Sequence, residues 1–154
     1  MNPIKVLLAG ESWVSTATHV KGFNCFSASE YQTGIGGLQR ALEGSDLDLI
    51  HLPGHLGPLA REGLDAYDGV ELSDIGADSL LLHPDTFVRG QRTANRLRLI
   101  AEWVEAGGGF LMVGGYYSFQ GIHGAARYRG TPVEKILPVT MQPYDDRVEV
   151  PEGF

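Results

Sequence analysis

Only one cysteine, Cys25, stands in this chain of 154 residues, so no disulfide can close within it. Positive charge is scarce. The 12 Lys and Arg face 19 Asp and Glu, for a formal net charge of −7, and they form no cluster. Phosphate backbones need concentrated positive charge, so this balance argues against nucleic acid as a partner. No apolar run approaches the ~20 residues that a membrane helix requires, and no membrane partner is expected. The start, Met1-Asn2-Pro3-Ile4-Lys5, lacks the basic segment and long apolar stretch of a signal peptide. With a single thiol, this points to a cytoplasmic location. There is no HExxH, no paired CxxC and no P-loop. Neither a metal nor a cofactor is therefore expected. Gly34-Ile35-Gly36-Gly37 does not directly follow a strand and lacks the G-x-G-x-x-G spacing of a dinucleotide site.

What the chain has is a core and many glycines. Apolar residues make up 43% and charged residues 20%, a globular composition. A single domain of this length buries roughly 68–70% of its unfolded surface and needs no staple. The 21 glycines punctuate the elements. Residues 4–9 form a short, mostly apolar run ending at Gly10-Glu11-Ser12, which predicts a buried strand. Residues 35–43 predict a short helix with Leu38, Ala41 and Leu42 on one side. Residues 48–52 predict a second strand, closed by Pro53-Gly54. Residues 70–75 predict a third, whose alternation places it nearer a sheet edge. Residues 95–106 give the strongest helix. Leu97, Ile100, Ala101 and Val104 share one face, Arg98 and Glu102 lie one turn apart, and Asn95 or Thr93 can cap the start. Gly107-Gly108-Gly109 stops it.

Residues 110–113 then predict a fourth strand, breaking at Gly114-Gly115. Thr131-Pro132-Val133-Glu134 reads as a capping box opening a short helix before Pro138. Residues 147–150 read as a last extended stretch. Residues 83–94, with His83, Pro84 and Gly90, read as a surface loop, long enough to be functional. Cys25, between Asn24 and Phe26, reads as a buried, inert thiol. Strands alternating with helices over short connections imply α/β with a mainly parallel sheet. A flavodoxin-like three-layer sandwich is the leading architecture.

Ligands of open parallel sheets bind beyond the carboxyl ends of the strands. Four such ends here join glycine to polar or aromatic residues: Gly10-Glu11-Ser12-Trp13, Pro53-Gly54-His55, Asp74-Ile75-Gly76-Ala77 and Gly114-Gly115-Tyr116-Tyr117-Ser118. Glycines at such ends also simply make turns. That all four share this character favours one pocket built from them. Its expected lining is Gly10, Glu11, Ser12 and His55, then Asp74 and Gly76, then Gly115, Tyr116, Tyr117 and Ser118. Glu11 and Asp74 would be its acids, and His19, His55 or His123 its bases or ligands.

The segment from Gly107 to Ser118 resembles the strand and nucleophile elbow of class I glutamine amidotransferase-like domains. Residues 6–13, 72–77, 131–134 and 143–148 narrow the resemblance to a bacterial family of cytoplasmic proteins related to the trehalose-utilisation type. It covers nearly the whole chain and implies the flavodoxin-like fold. A working amidotransferase centres a cysteine in a tight G-x-C-x-G turn, where backbone N–H groups face the oxyanion. Here Tyr116 holds the centre and Ser118 replaces the second glycine. A phenol, which ordinarily ionises near ~10, is a poor nucleophile at neutral pH.

Family members are longer, and their catalytic histidine and its acidic partner lie in a C-terminal part that this chain, ending at Phe154, does not reach. The resemblance thus implies a domain short of its C-terminal part and a pseudoenzyme for glutamine hydrolysis. The first reading is a binder of a small polar molecule, a sugar or a carboxylate, with Tyr116 and Tyr117 beside Glu11, Ser12 and Asp74. The alternatives are an enzyme using Glu11 or Asp74 with a histidine, and a homo-oligomerising interaction protein.

Overall fold

The computed structural model describes residues 3–56, 61–82 and 84–153. Met1, Asn2, His83 and Phe154, which enter the sequence reading, lie outside these.

Four parallel strands build the main sheet: β1 (Ile4–Gly10), β4 (Leu47–Leu52), β5 (Gly69–Ser73) and β6 (Gly109–Val113), in the order β4-β1-β5-β6. Register sets Leu7 beside Ile50 and Val70, Ala9 beside Leu52 and Leu72, and Leu72 beside Met112. Registered neighbours share a face, so these side chains form one apolar layer. Helices α3 (Ala77–Leu81), α5 (Arg96–Glu105) and α6 (Pro132–Ile136) cover it with Leu80, Leu97, Ile100, Trp103 and Val133. Each fully buried leucine or isoleucine there contributes ~1.5–3 kcal/mol. On the opposite face lies α1 (Gly36–Leu42), whose Leu38 and Leu42 line an apolar groove of about 330 Å³ with Val6, Leu49 and Leu111. Helix, sheet, helix makes three layers. Two four-residue helices, α2 (Arg61–Leu64) and α4 (Pro84–Phe87), complete the set, so the stretch expected as loop after residue 83 starts with a turn of helix.

Most of the predicted elements form, with local corrections. Asn95 caps α5, its Oδ1 accepting the Arg98 N–H at 3.1 Å, and Arg98 pairs with Glu102 at 2.8 Å. β5 is not itself an edge strand; it lies between β1 and the edge strand β6. Its alternation has another cause. Val70 and Leu72 face the core, while Glu71 sits in the thinly covered groove. The capping box is rearranged. Thr131 makes no side-chain cap, and its hydroxyl donates back to the Tyr128 carbonyl at 2.6 Å. Glu134 reaches past it, accepting the N–H groups of Gly130 at 2.6 Å and Met141 at 2.7 Å. These two bonds hold the Glu134 carboxyl below the usual range. Residues 147–150 join no sheet.

Helices α2 and α3 have no counterpart in the sequence reading, and neither does one larger element. Strands β2 (Ser12–Lys21) and β3 (Asn24–Thr33) pair antiparallel as a separate two-stranded hairpin, with every residue from 13 to 31 exposed. Gly22, at φ +62°, makes its turn. Cys25 therefore is not buried; it is exposed near the hairpin tip, opposite Val20.

Candidate functional site

The carboxyl ends of the four parallel strands meet at one pocket of about 860 Å³. From the end of β1 come Gly10, Ser12 and Trp13; from the turn after β4, Gly54 and His55. Asp74 and Gly76 follow β5, and Tyr116 and Tyr117 follow β6. Sequence reasoning missed part of the wall: Trp13 and two residues of α3, Asp78 and Ser79, also line it. Trp13 had a signal, since it ends the first of the four glycine-bearing segments. Asp78 and Ser79 had none, because only the packing of α3 turns them towards the pocket.

Backbone geometry explains the convergence. Gly10 has φ +114°, and a Cβ there would lie 1.9 Å from the Ser73 carbonyl oxygen. Only glycine allows β1 to turn away this close to β5. The two residues that directly follow these strands, Glu11 and Asp74, are both left-handed, at φ +47° and +48°. Non-glycine residues in that region are strained and concentrate at functional sites. Tyr116 is not in that conformation, and no helix directly follows it, so the elbow position after β6 lacks the strain of a nucleophile elbow; the first left-handed residue of that loop is Phe119, at φ +54°.

Hydrogen bonds fix the walls. Asp74 Oδ1 accepts the Tyr117 N–H at 2.9 Å, and the Asp74 N–H donates to Ser118 Oγ at 3.3 Å. The loops after β5 and β6 are thereby tied together. Ser118 is buried behind this contact, and Gly115 packs beside the Asp74 carboxylate. Ser12 Oγ accepts the Gly54 N–H at 2.8 Å, joining the ends of β1 and β4. The Tyr128 hydroxyl donates to the Ile75 carbonyl at 2.6 Å and holds the floor. Burial pushes that phenol well above its ordinary range, so it stays a neutral donor.

The expected acids separate. Asp74 faces the pocket, whereas Glu11 turns aside, its Oε1 accepting the Ser73 hydroxyl at 2.5 Å and its other oxygen against Gly34. The histidines separate too. His55 lines the pocket, its ring edge-on to Tyr31 at 5.0 Å between centroids. His19 stacks on Phe26 out on the hairpin, and His123 sits on the loop beside Asp145. Tyr116 is 70% exposed and Tyr117 45%, so both rings border open space. Among the described residues, no group of three His, Cys, Asp or Glu side chains is placed to hold a metal ion.

Comparison with known proteins adds to this geometry. A family model described as "Putative glutamine amidotransferase" matches residues 5–154. The cytoplasmic protein STM3548 from Salmonella typhimurium is 41% identical, with a TM-score of 0.90 over 97% of this chain and 63% of its own. The cytoplasmic protein STM1381 from Salmonella typhimurium LT2 is 40% identical, with a TM-score of 0.89 over the same shares, 97% and 63%. The chain thus spans less than two thirds of the length of either structure. No curated protein matches it.

Proposed function

The chain belongs to the glutamine amidotransferase-like family, and from that premise we propose that it uses the family's scaffold to bind a small polar ligand, without hydrolysing glutamine through a cysteine triad. The observation that carries this reading is the convergence of four strand ends on one pocket. Its wall sets the rings of Trp13, Tyr116 and Tyr117 beside Ser12, His55 and Asp74. Flat apolar faces next to hydrogen-bonding groups suit a sugar ring. Between a sugar and a carboxylate, charge favours the sugar. Asp78 is paired with Arg127 at 3.0 Å, but Asp74 lines the pocket with no Lys or Arg among the lining residues, and a second negative charge beside it would meet repulsion. Against glutaminase chemistry stand Tyr116 at the elbow position and Cys25 out on the hairpin.

The compartment we propose is the cytoplasm. Both Salmonella relatives are named as cytoplasmic proteins, and among the described residues no helix is long and apolar enough to cross a membrane.

Thermal-shift screening of neutral mono- and disaccharides, dicarboxylates, amino acids and nucleotides tests the binding reading. A ligand at 100 times its dissociation constant adds ~2.7 kcal/mol to stability. A neutral sugar is expected to raise the melting temperature, and Tyr117→Ala to abolish the rise. No shift with any compound at millimolar concentration, or ammonia released from glutamine, overturns it. A second reading, an enzyme with Asp74 as base, is favoured by the strained backbone at Asp74. Asp74→Asn then abolishes turnover while the fold persists, and unchanged turnover rejects it.

A further inference from the structure

We propose that one face of the β2–β3 hairpin is the surface on which two copies of this chain pair. The hairpin stands apart from the main sheet, exposed from residue 13 to residue 31. An isolated two-stranded ribbon is marginally stable in water. Ten residues a strand, it extends roughly 33 Å.

Its two faces differ in chemistry. Side chains alternate, so Val14, Thr16, Thr18 and Val20 of β2 point one way. Register puts Tyr31, Ser29, Ser27 and Cys25 of β3 opposite them, on the same face. No residue there carries a formal charge, and the two valines are 63% and 69% exposed. Four of its hydroxyls are already paired. Thr16 and Ser29 share a hydroxyl–hydroxyl bond of 2.9 Å, and Thr18 and Ser27 share another of 2.9 Å. Hydroxyls that bring their own partners can leave water at little cost. The opposite face carries Lys21 and Glu30, with Glu30 bonded to Gln32 and Gln32 to the Trp13 indole.

Charge decides where a second copy can sit. At a net charge of −7 two copies repel, and this ribbon face is a place where they can meet without opposing like charges. A partner steered by charge finds nothing on it to recognise. Two identical faces related by a two-fold axis satisfy each other. Face-to-face burial of both ribbons removes on the order of 1,000 Å² in total, the low end for specific interfaces. The pair is therefore weak and concentration-dependent.

Sedimentation equilibrium of the full chain across a concentration series, up to several hundred micromolar, tests this. The expected result is an apparent mass rising from 16.7 kDa towards twice that value. Thr18→Glu and Val20→Glu, on the uncharged face, are expected to weaken pairing at least tenfold. Ala17→Glu, at the middle of the other face, is expected to pair like the unaltered chain. All three positions are exposed, and cross-strand amide contacts seen by NMR verify that each variant keeps the hairpin. A spin label at Ala28→Cys on the other face, in a Cys25→Ser background, gives an independent readout: a dipolar distance between copies, lost in Thr18→Glu. A strict monomer at every concentration overturns the proposal. So does loss of pairing in Ala17→Glu equal to that in Thr18→Glu, or pairing that survives Thr18→Glu.

Discussion

Single side chains tie the core of this protein to its pocket. Tyr128 is fully buried, and its hydroxyl is bonded to the carbonyl of Ile75, one residue beyond Asp74. Tyr128→Phe keeps the ring and takes away the donor, leaving that carbonyl unpaired. A loss of ~1–3 kcal/mol is expected, read as a lower urea midpoint at unchanged slope. A change under about 0.5 kcal/mol rejects the role. Glu71 acts in the opposite sense. Its carboxyl is raised above the ordinary range, first by burial and then by the nearby Glu11 charge. A raised carboxyl holds its proton more tightly in the fold than in the unfolded chain. Its contribution is present below the ordinary value and lost as pH rises through the folded one. At neutral pH the ionised group costs stability, so Glu71→Gln should raise the melting temperature at pH 7. The gain is small, because the side chain is in part solvated, and it disappears below pH ~4. A gain of equal size at pH 3 rules out this cause.

Whether an element could be read in the sequence depended on whether it buries anything. The period of α5 was visible because Leu97, Ile100 and Ala101 face a core, and its cap and its glycine stop agree with the pattern. Strands β1, β4 and β6 announced themselves as short apolar runs. The hairpin did not, since alternation records burial and residues 13–31 bury little. Its threonines and serines face each other across the strands, a pairing that only the register reveals. Cys25 was misplaced for the same reason: aromatic neighbours suggest a core only when a core is near. The alternation of β5 told of two unequal faces rather than of an edge. For α5 the cap is quantitative. Asn95→Ala removes the acceptor of the Arg98 N–H and should destabilise the protein by about 1 kcal/mol. Chemical denaturation measures this, and Asn95→Asp, which keeps the acceptor, should restore most of the loss. Equal loss in both variants dismisses the cap.

At the scale of the whole molecule, the general rule for parallel sheets located the pocket, but the rule says nothing about how side chains turn. It brought four strand ends together, yet Glu11 turned to Ser73 and Asp78 arrived on a helix. Another link, between the end of the chain and the pocket, joins residues far apart in sequence. Asp145 Oδ2 accepts the His123 N–H at 2.7 Å, and Asp146 Oδ2 accepts the Gln120 N–H at 3.1 Å. Both donors lie in the loop that carries Ala125 into the pocket wall. Arg147, hydrogen-bonded to Asp145, holds that carboxyl down to about 2. A depressed carboxyl contributes stability above its ordinary value, and the contribution fades as pH falls through the folded one. Asp145→Ala should therefore release the loop at pH 7. The expected signs are faster amide exchange at His123 and a lower melting temperature, with the gap from the unaltered chain narrowing between pH 4 and pH 2. Because the clip bears on the pocket wall, the same variant should also reduce the thermal shift given by any ligand found in the screen. His123 exchange that does not change at pH 7 would show that residues 145–147 lie against the loop without holding it.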